Sequence, residues 1–294
     1  MSMFKNRYGE IRSGWSVAAS LLLILLGQII GRGLVPEDRE DEILIKIITT
    51  LIYSIIVIGG GLLLFRLIYK RPFRQMGLVR QGWLSILLHG YAMGAISMVL
   101  VFTGLLAVGQ ATVVSVDFAM LFSFGMIVEL ISVHFFMFSE EFITRGFFMT
   151  ALKTTRNKWI ILLVSSLVFS LGHMLNPGIT VLSLFNTFLR GLLFAYMFLK
   201  SGRLWFSTGF HVAWNFILGD VLGMMVSGNE QAAAFTTVLG TNSLFTGGEH
   251  GPIASIFATV VLLFALIYTH FMVKPPSFPV WTIDSDLPLT RGKK

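Results

Sequence analysis

The chain has 294 residues, 55% of them hydrophobic and 13% charged, with 27 Phe, no Cys and a formal net charge of +7. Its mean hydropathy of +0.79 lies outside the range of a soluble globular mixture and marks a multi-pass membrane protein. The missing cysteines exclude disulfides, thiolate nucleophiles and sulfur-ligated zinc, and the basic excess falls where membrane topology accounts for it, so no nucleic-acid partner is inferred.

A basic, polar start (Lys5, Arg7, Arg12) leads directly into an apolar run from Trp15 to Ile30. The segment after it, GRGLVPEDREDE, offers no small-residue cleavage site, so this run is expected to be a retained span. Seven more apolar runs follow: Ile43 to Leu67, Trp83 to Val108, Met120 to Leu152, Trp159 to Met174, Ile179 to Leu199, Leu204 to Val226 and Ile253 to Val273. The expected fold is therefore all-α, a polytopic bundle of about eight transmembrane helices in a single integral membrane domain over 1–294. Its core is expected at about 120–226, with peripheral spans within 15–108 and 253–273 and a tail at 274–294.

Positive residues near span ends stay in the cytoplasm. The links holding Lys70, Arg71, Arg74 and Arg80, then Lys153, Arg156 and Lys158, then Lys200 and Arg203, fall on one side with both termini, including Lys274, Arg291, Lys293 and Lys294. The loops 109–119, 175–178 and 227–252 contain no Lys or Arg. Both ends are thus expected to be cytoplasmic.

Within the fourth run, FSEEFITRGFFMT (Phe138 to Thr150) places Glu140, Glu141 and Arg145 in a hydrocarbon-like setting, where an unpaired charge costs several kcal/mol. On a helix Glu141 and Arg145 share a face and can neutralise each other, whereas Glu140 points about 100° away without a local partner. Counted at about 1.5 Å per residue from the basic span ends, Glu140 lies roughly 20 Å deep, His173 roughly 22 Å and Asn215 roughly 18 Å, with His211 and Arg145 at roughly 12 Å. Three runs thus deliver polar groups to one layer. Each pair taken singly could be interhelical glue; together they point to a reactive site.

A water-poor setting disfavours the charged form of a carboxylate, which suits Glu140 to take a proton from water near neutral pH. His173 can share or relay that proton, and His211 and Asn215 can donate to the oxyanion formed when water adds to a carbonyl. This is peptide-bond hydrolysis. A second version gives Glu140, His173 and His211 a divalent metal such as zinc, assembled across helices because no HExxH is present. The GxSG turn of an intramembrane serine protease and the GxGD of an aspartyl one are missing: LKSGR, VSGN and ILGD each lack the first glycine.

EEFITR (Glu140 to Arg145), FSLGH (Phe169 to His173) and HVAWN (His211 to Asn215) resemble, in order and spacing, the EExxxR, FxxxH and HxxxN motifs of the CAAX-protease and bacteriocin-processing family, also called CPBP or Abi. The resemblance covers about 120–226. It implies an intramembrane endopeptidase of CAAX prenyl endopeptidase type, acting on a membrane-embedded or lipid-anchored peptide or protein, in a multi-pass protein of a bacterial cell membrane. It carries over Glu140 and His173 as water-activating, His211 and Asn215 as oxyanion-stabilising, and Glu141 and Arg145 as the rest of the first motif; many members are labelled metalloproteases. It also admits a non-proteolytic bacteriocin-immunity or regulatory scaffold, and buried Glu, Arg and His would equally serve a proton-coupled transporter, although no internal repeat is seen. Arg190 adds a charge to the sixth run that can pair with Glu140 or Glu141. His134 could share a face with Glu141; His89, His250 and His270 lie off the common layer.

Overall fold

The computed structural model describes residues 13–33, 42–277 and Thr282, so Lys5, Arg7, Arg12, Arg291, Lys293 and Lys294 near the termini and Arg39 between the first two apolar runs lie outside the described residues. Each of the eight apolar runs contains helix, although the run from Leu204 leaves it after Val221. The helices are α1 (Ser13–Gly33), α2 (Glu42–Ser54), α3 (Gly60–Tyr69), α4 (Trp83–Ala107), α5 (Phe124–Glu141), α6 (Met149–Leu152), α7 (Lys158–Gly172), α8 (Val181–Ser201), α9 (Leu204–Phe216), the four-residue α10 (Ser243–Thr246) and α11 (Ile256–Met272). Three π-helical segments interrupt this series, Ile55–Gly59 joining α2 to α3, Phe142–Phe148 joining α5 to α6, and Ile217–Val221 extending α9.

The starts of the helices follow local chemistry. Ser123 accepts from the Met126 amide, Asn157 from those of Trp159 and Ile160, Ser255 from that of Ala258, and Thr180 forms a reciprocal box with Ser183, so side chains satisfy amides that a helix leaves unpaired. Among the described residues, four helical stretches are long and apolar enough to cross a membrane: Ser13–Ile30, Ile47–Tyr69, Trp83–Ala107 and Val181–Ser201. The apolar helices α7 and α11 are shorter. Both nonetheless turn large apolar side chains outward, Leu163, Leu167 and Leu171 on one and Leu263, Phe264 and Phe271 on the other, while Glu141, Arg145, Arg190 and His211 are buried within. That is the inverse of a water-soluble fold and suits a protein whose solvent is lipid.

Two apolar cores flank the bundle centre. One gathers Met98, Val101, Leu193, Phe194, Phe210 and Trp214 between α4, α8 and α9; the other gathers Phe65, Phe142, Phe147, Met149 and Leu204 around the π segment after α5. Helices α4 and α9 touch backbone to backbone. A Cβ on Gly209 would lie 2.2 Å from the Leu87 carbonyl oxygen, and one on Gly90 would lie 2.3 Å from that of Phe206. Small residues at such a seam let helices approach closely where lipid supplies no hydrophobic drive for association. The GGG run at 59–61 serves the same end in part, since Gly60 faces Leu23 and Gly61 faces the Phe142 ring.

The all-α expectation needs one correction. Loops 109–119 and 227–252 meet in a two-stranded antiparallel sheet, β1 (Ala111–Val116) with β2 (Phe235–Leu239), pairing Ala111 with Leu239 and Val116 with Phe235. Each strand is a short apolar-polar alternation outside the helices, too brief to stand out beside runs of twenty apolar residues. The pairing brings together two of the three loops without Lys or Arg. The third joins them: His250 Nδ1 donates to the Pro177 carbonyl at 2.8 Å, and Gly228 packs against Pro177.

Candidate active site

The six residues singled out from sequence come from α5 and its π extension, from the end of α7, and from α9. Glu141 and Arg145 form an ion pair at 3.3 Å, both fully buried. Glu141 Oε1 also accepts from His211 Nδ1 at 3.2 Å, so one carboxylate oxygen holds both the guanidinium and the imidazole. Arg145 is fixed further by donation to Thr144 Oγ1 and, at 3.3 Å, to the Gly191 carbonyl on α8. Thr144 in turn donates to the Glu140 carbonyl, one turn back.

Glu140 differs from its neighbour. Its carboxylate is 18% exposed, makes no ion pair with an arginine, and has Oε2 3.9 Å from His211 Nε2, beyond hydrogen-bond range. A water about 2.8 Å from each of these atoms would fit that separation. The two ends of the His211 ring therefore have different tasks. A carboxylate only accepts, so Nδ1 must carry the proton given to Glu141, and in the neutral ring Nε2 then presents a lone pair towards Glu140.

His173 terminates α7 and donates from Nδ1 to the carbonyl of Phe169, 2.8 Å away, which leaves its Nε2 as the acceptor. Its ring rests on Phe169 at 4.6 Å between centroids, and His211 meets the same ring edge-on at 6.0 Å. Phe169 is also the platform for Arg145, whose guanidinium carbon lies 4.4 Å from the ring centre, and for that of Arg190 at 5.6 Å. Asn215, one turn beyond His211, donates to Met137 Sδ at 2.8 Å and its Oδ1 has no protein partner. Sulfur is a weak acceptor, so that amide is readily given up to a better one.

The structure thus joins Glu140, Glu141, Arg145 and His211 in direct sequence of contact, brings His173 to them across Phe169, and sets Asn215 beside Met137. Phe169 lay within a motif, but its service as a shared ring could not be read from spacing. Arg190, noted as an extra charge, lies on this platform and makes no ion pair with either glutamate. His134 is drawn away from Glu141 to the hydroxyl of Tyr91, and His89 and His270 pair with Tyr268 and Tyr196. As for a metal held by Glu140, His173 and His211, no three His, Cys, Asp or Glu side chains among the described residues are grouped as ligands. His211 and His173 each hold a partner at Nδ1 and leave Nε2 free, an arrangement that metal-ligating histidines share, while two guanidinium groups on the platform oppose a cation.

Residues 122–217 match the family model described as Type II CAAX prenyl endopeptidase Rce1-like. This segment is Rce1-like. The resemblance seen in the three motifs is thereby borne out, and the Rce1-like segment contains all six of Glu140, Glu141, Arg145, His173, His211 and Asn215. It runs from the 3-10 turn before α5 to the start of the π segment after α9, the stretch that builds the site. No curated protein and no solved structure matches the chain.

Proposed function

We propose that the chain is an integral membrane endopeptidase that hydrolyses a peptide bond of a membrane-associated, prenylated peptide or protein. Supporting this reading above all is the contrast between the two adjacent glutamates of the Rce1-like segment. Glu141 is spent on Arg145 and His211, whereas Glu140 Oε2 lies 3.9 Å from the His211 Nε2 lone pair, a separation that one water bonded to both atoms can bridge. Glu140 takes the proton of a water lying there as the water's oxygen adds to the scissile carbonyl. Glu141 and Arg145 keep the His211 ring at the correct rotation. When the carbon–nitrogen bond breaks, the proton held by Glu140 passes to the leaving amine, with the free Nε2 of His173 available as relay.

The same reading takes the eight helical runs as eight spans of a bacterial cell membrane with both termini in the cytoplasm. The 15-residue α7 and 17-residue α11 fit the core of a locally thinned bilayer, a modest cost where the ends are anchored. Purified protein in detergent, given a fluorogenic farnesylated CAAX peptide, tests the assignment. Glu140→Gln and His173→Ala are each expected to lower kcat by about 10²–10⁴-fold. Unchanged cleavage by Glu140→Gln ends the glutamate-base scheme, and loss of activity on chelation, restored by zinc, replaces it with the metal-bound one.

A further inference from the structure

Arg190 is the group in this site that the mechanism leaves idle. Mid-way along α8, it is 1% exposed, and its Nε and Nη1 have no protein partner. Leaving two N–H donors of a buried cation unpaired is costly, so such a group marks a place where an acceptor is expected to arrive. The acceptor is not Glu141, which Arg145 already neutralises at 3.3 Å. Arg190 stands over the Phe169 ring that also carries His173, His211 and Arg145, and its neighbour Gly191 accepts from Arg145. Arg190 forms no ion pair with Glu140.

Of the two groups expected to stabilise an oxyanion, one has no proton to give as it stands. Neutral His211 gives its proton at Nδ1 to Glu141, so Nε2 accepts and does not donate. Asn215 can give up its weak bond to Met137 Sδ, which supplies one neutral amide donor but no positive charge. As water adds to the substrate carbonyl, a carbon–oxygen bond forms, the carbonyl π pair moves onto oxygen, and one proton of the water goes to Glu140. One negative charge thus leaves Glu140 and appears on the substrate oxygen. A buried cation over the ring that also carries His173 and His211, with Nε and Nη1 unpartnered, is placed to receive that charge.

We propose that Arg190 is a catalytic residue of this site, donating from its guanidinium to the oxyanion of the tetrahedral intermediate. This rests on the endopeptidase reading. When the intermediate collapses, the carbonyl re-forms, the carbon–nitrogen bond breaks, and the proton on Glu140 moves to the departing nitrogen, leaving Arg190 unpaired again. Its donors bind more strongly in the transition state than in the ground state, so they act on kcat.

The test uses the full-length protein in detergent with two farnesylated fluorogenic peptides, one ending in a free carboxylate and one in an amide. Arg190→Gln is expected to lower kcat by about 10²–10³-fold on both peptides, the scale of losing an oxyanion donor, with KM within about threefold of the parent. Arg190→Lys, which keeps the charge in the bilayer interior, guards against a folding failure: at a parental unfolding temperature its kcat is expected between those of parent and Arg190→Gln. Added methylguanidinium is expected to restore part of the kcat of Arg190→Ala. A loss confined to KM, and seen only with the free carboxylate, overturns the proposal and makes Arg190 a ground-state anchor for the peptide's end. Parental kcat in Arg190→Gln, while Glu140→Gln is inactive, sinks the role of Arg190 alone. No cleavage by the parent, or equal cleavage by Glu140→Gln, sinks the endopeptidase reading and this proposal with it.

Discussion

Adding one methyl group at the α4–α9 seam should disturb both stability and catalysis, and the structure sets the scale. In Gly209→Ala the new Cβ would lie 2.2 Å from the Leu87 carbonyl oxygen and 2.9 Å from the Tyr91 nitrogen. Both are backbone atoms of a helix and cannot rotate aside. Ordinary contact needs about 3.4 Å or more, so the helices must part by roughly 1 Å along that line. Overpacking of this kind costs about 1–3 kcal/mol. The shift falls two residues from His211, whose Nδ1 is held to Glu141 and whose Nε2 faces Glu140. A misplacement of about 1 Å is enough to lower turnover by about 10²-fold. Thermal unfolding followed by the fluorescence of Trp205 and Trp214 on α9, with cleavage of the farnesylated peptide on the same sample, reads both effects. Gly59→Ala is the control, because a Cβ there meets nothing within 4 Å, and it should stay within about 0.5 kcal/mol of the parent. If Gly209→Ala unfolds and turns over as the parent does, the backbone seam does not position the site.

Two other expectations follow from buried charge and from the loop that holds His250. Glu141→Gln strands Arg145 without its counterion and should cost about 3–5 kcal/mol in unfolding, while the double change Glu141→Gln with Arg145→Met should cost less than the sum of the singles; strict additivity in a double-mutant cycle contradicts the pairing. Burial pushes the His250 imidazole below its ordinary pKa, against the opposing pull of the Pro177 carbonyl it donates to. The folded chain therefore binds fewer protons there than the unfolded one, and the stability His250 contributes is full above about pH 6.5 and falls as the pH drops below that value. His250→Gln should flatten the acid-side slope of unfolding temperature against pH relative to the parent. An unchanged slope rules out that link.

Much of the candidate site was legible because its chemistry conflicts with its surroundings. Glu140, Glu141 and Arg145 stand out since hydrocarbon penalises charge, and the four-residue spacing of Glu141 and Arg145 foretold their ion pair and left Glu140 unpaired. Arg190 was visible as a charge able to pair with Glu140 or Glu141, whereas the structure sets it over the Phe169 ring without an ion pair to either. Its sequence distance from Arg145 says nothing of the fact that both guanidinium groups lie over one phenyl ring. Nor could the sequence show that α5 passes into a π segment immediately after Glu141, an irregularity frequent at functional sites.

The amino-acid order alone determined that this is an apolar chain of helical runs with a few costly polar groups, because hydrophobicity and helical period are local properties. Which end of His211 holds a proton, which glutamate is already spoken for, and which cation still has donors to give depended on contacts between α5, α7, α8 and α9. So did the antiparallel meeting of loops 109–119 and 227–252. These are pairings between residues far apart in sequence, fixed by close packing at glycines and by the need of buried polar groups for partners, and neither constraint can be evaluated until the helices are in place.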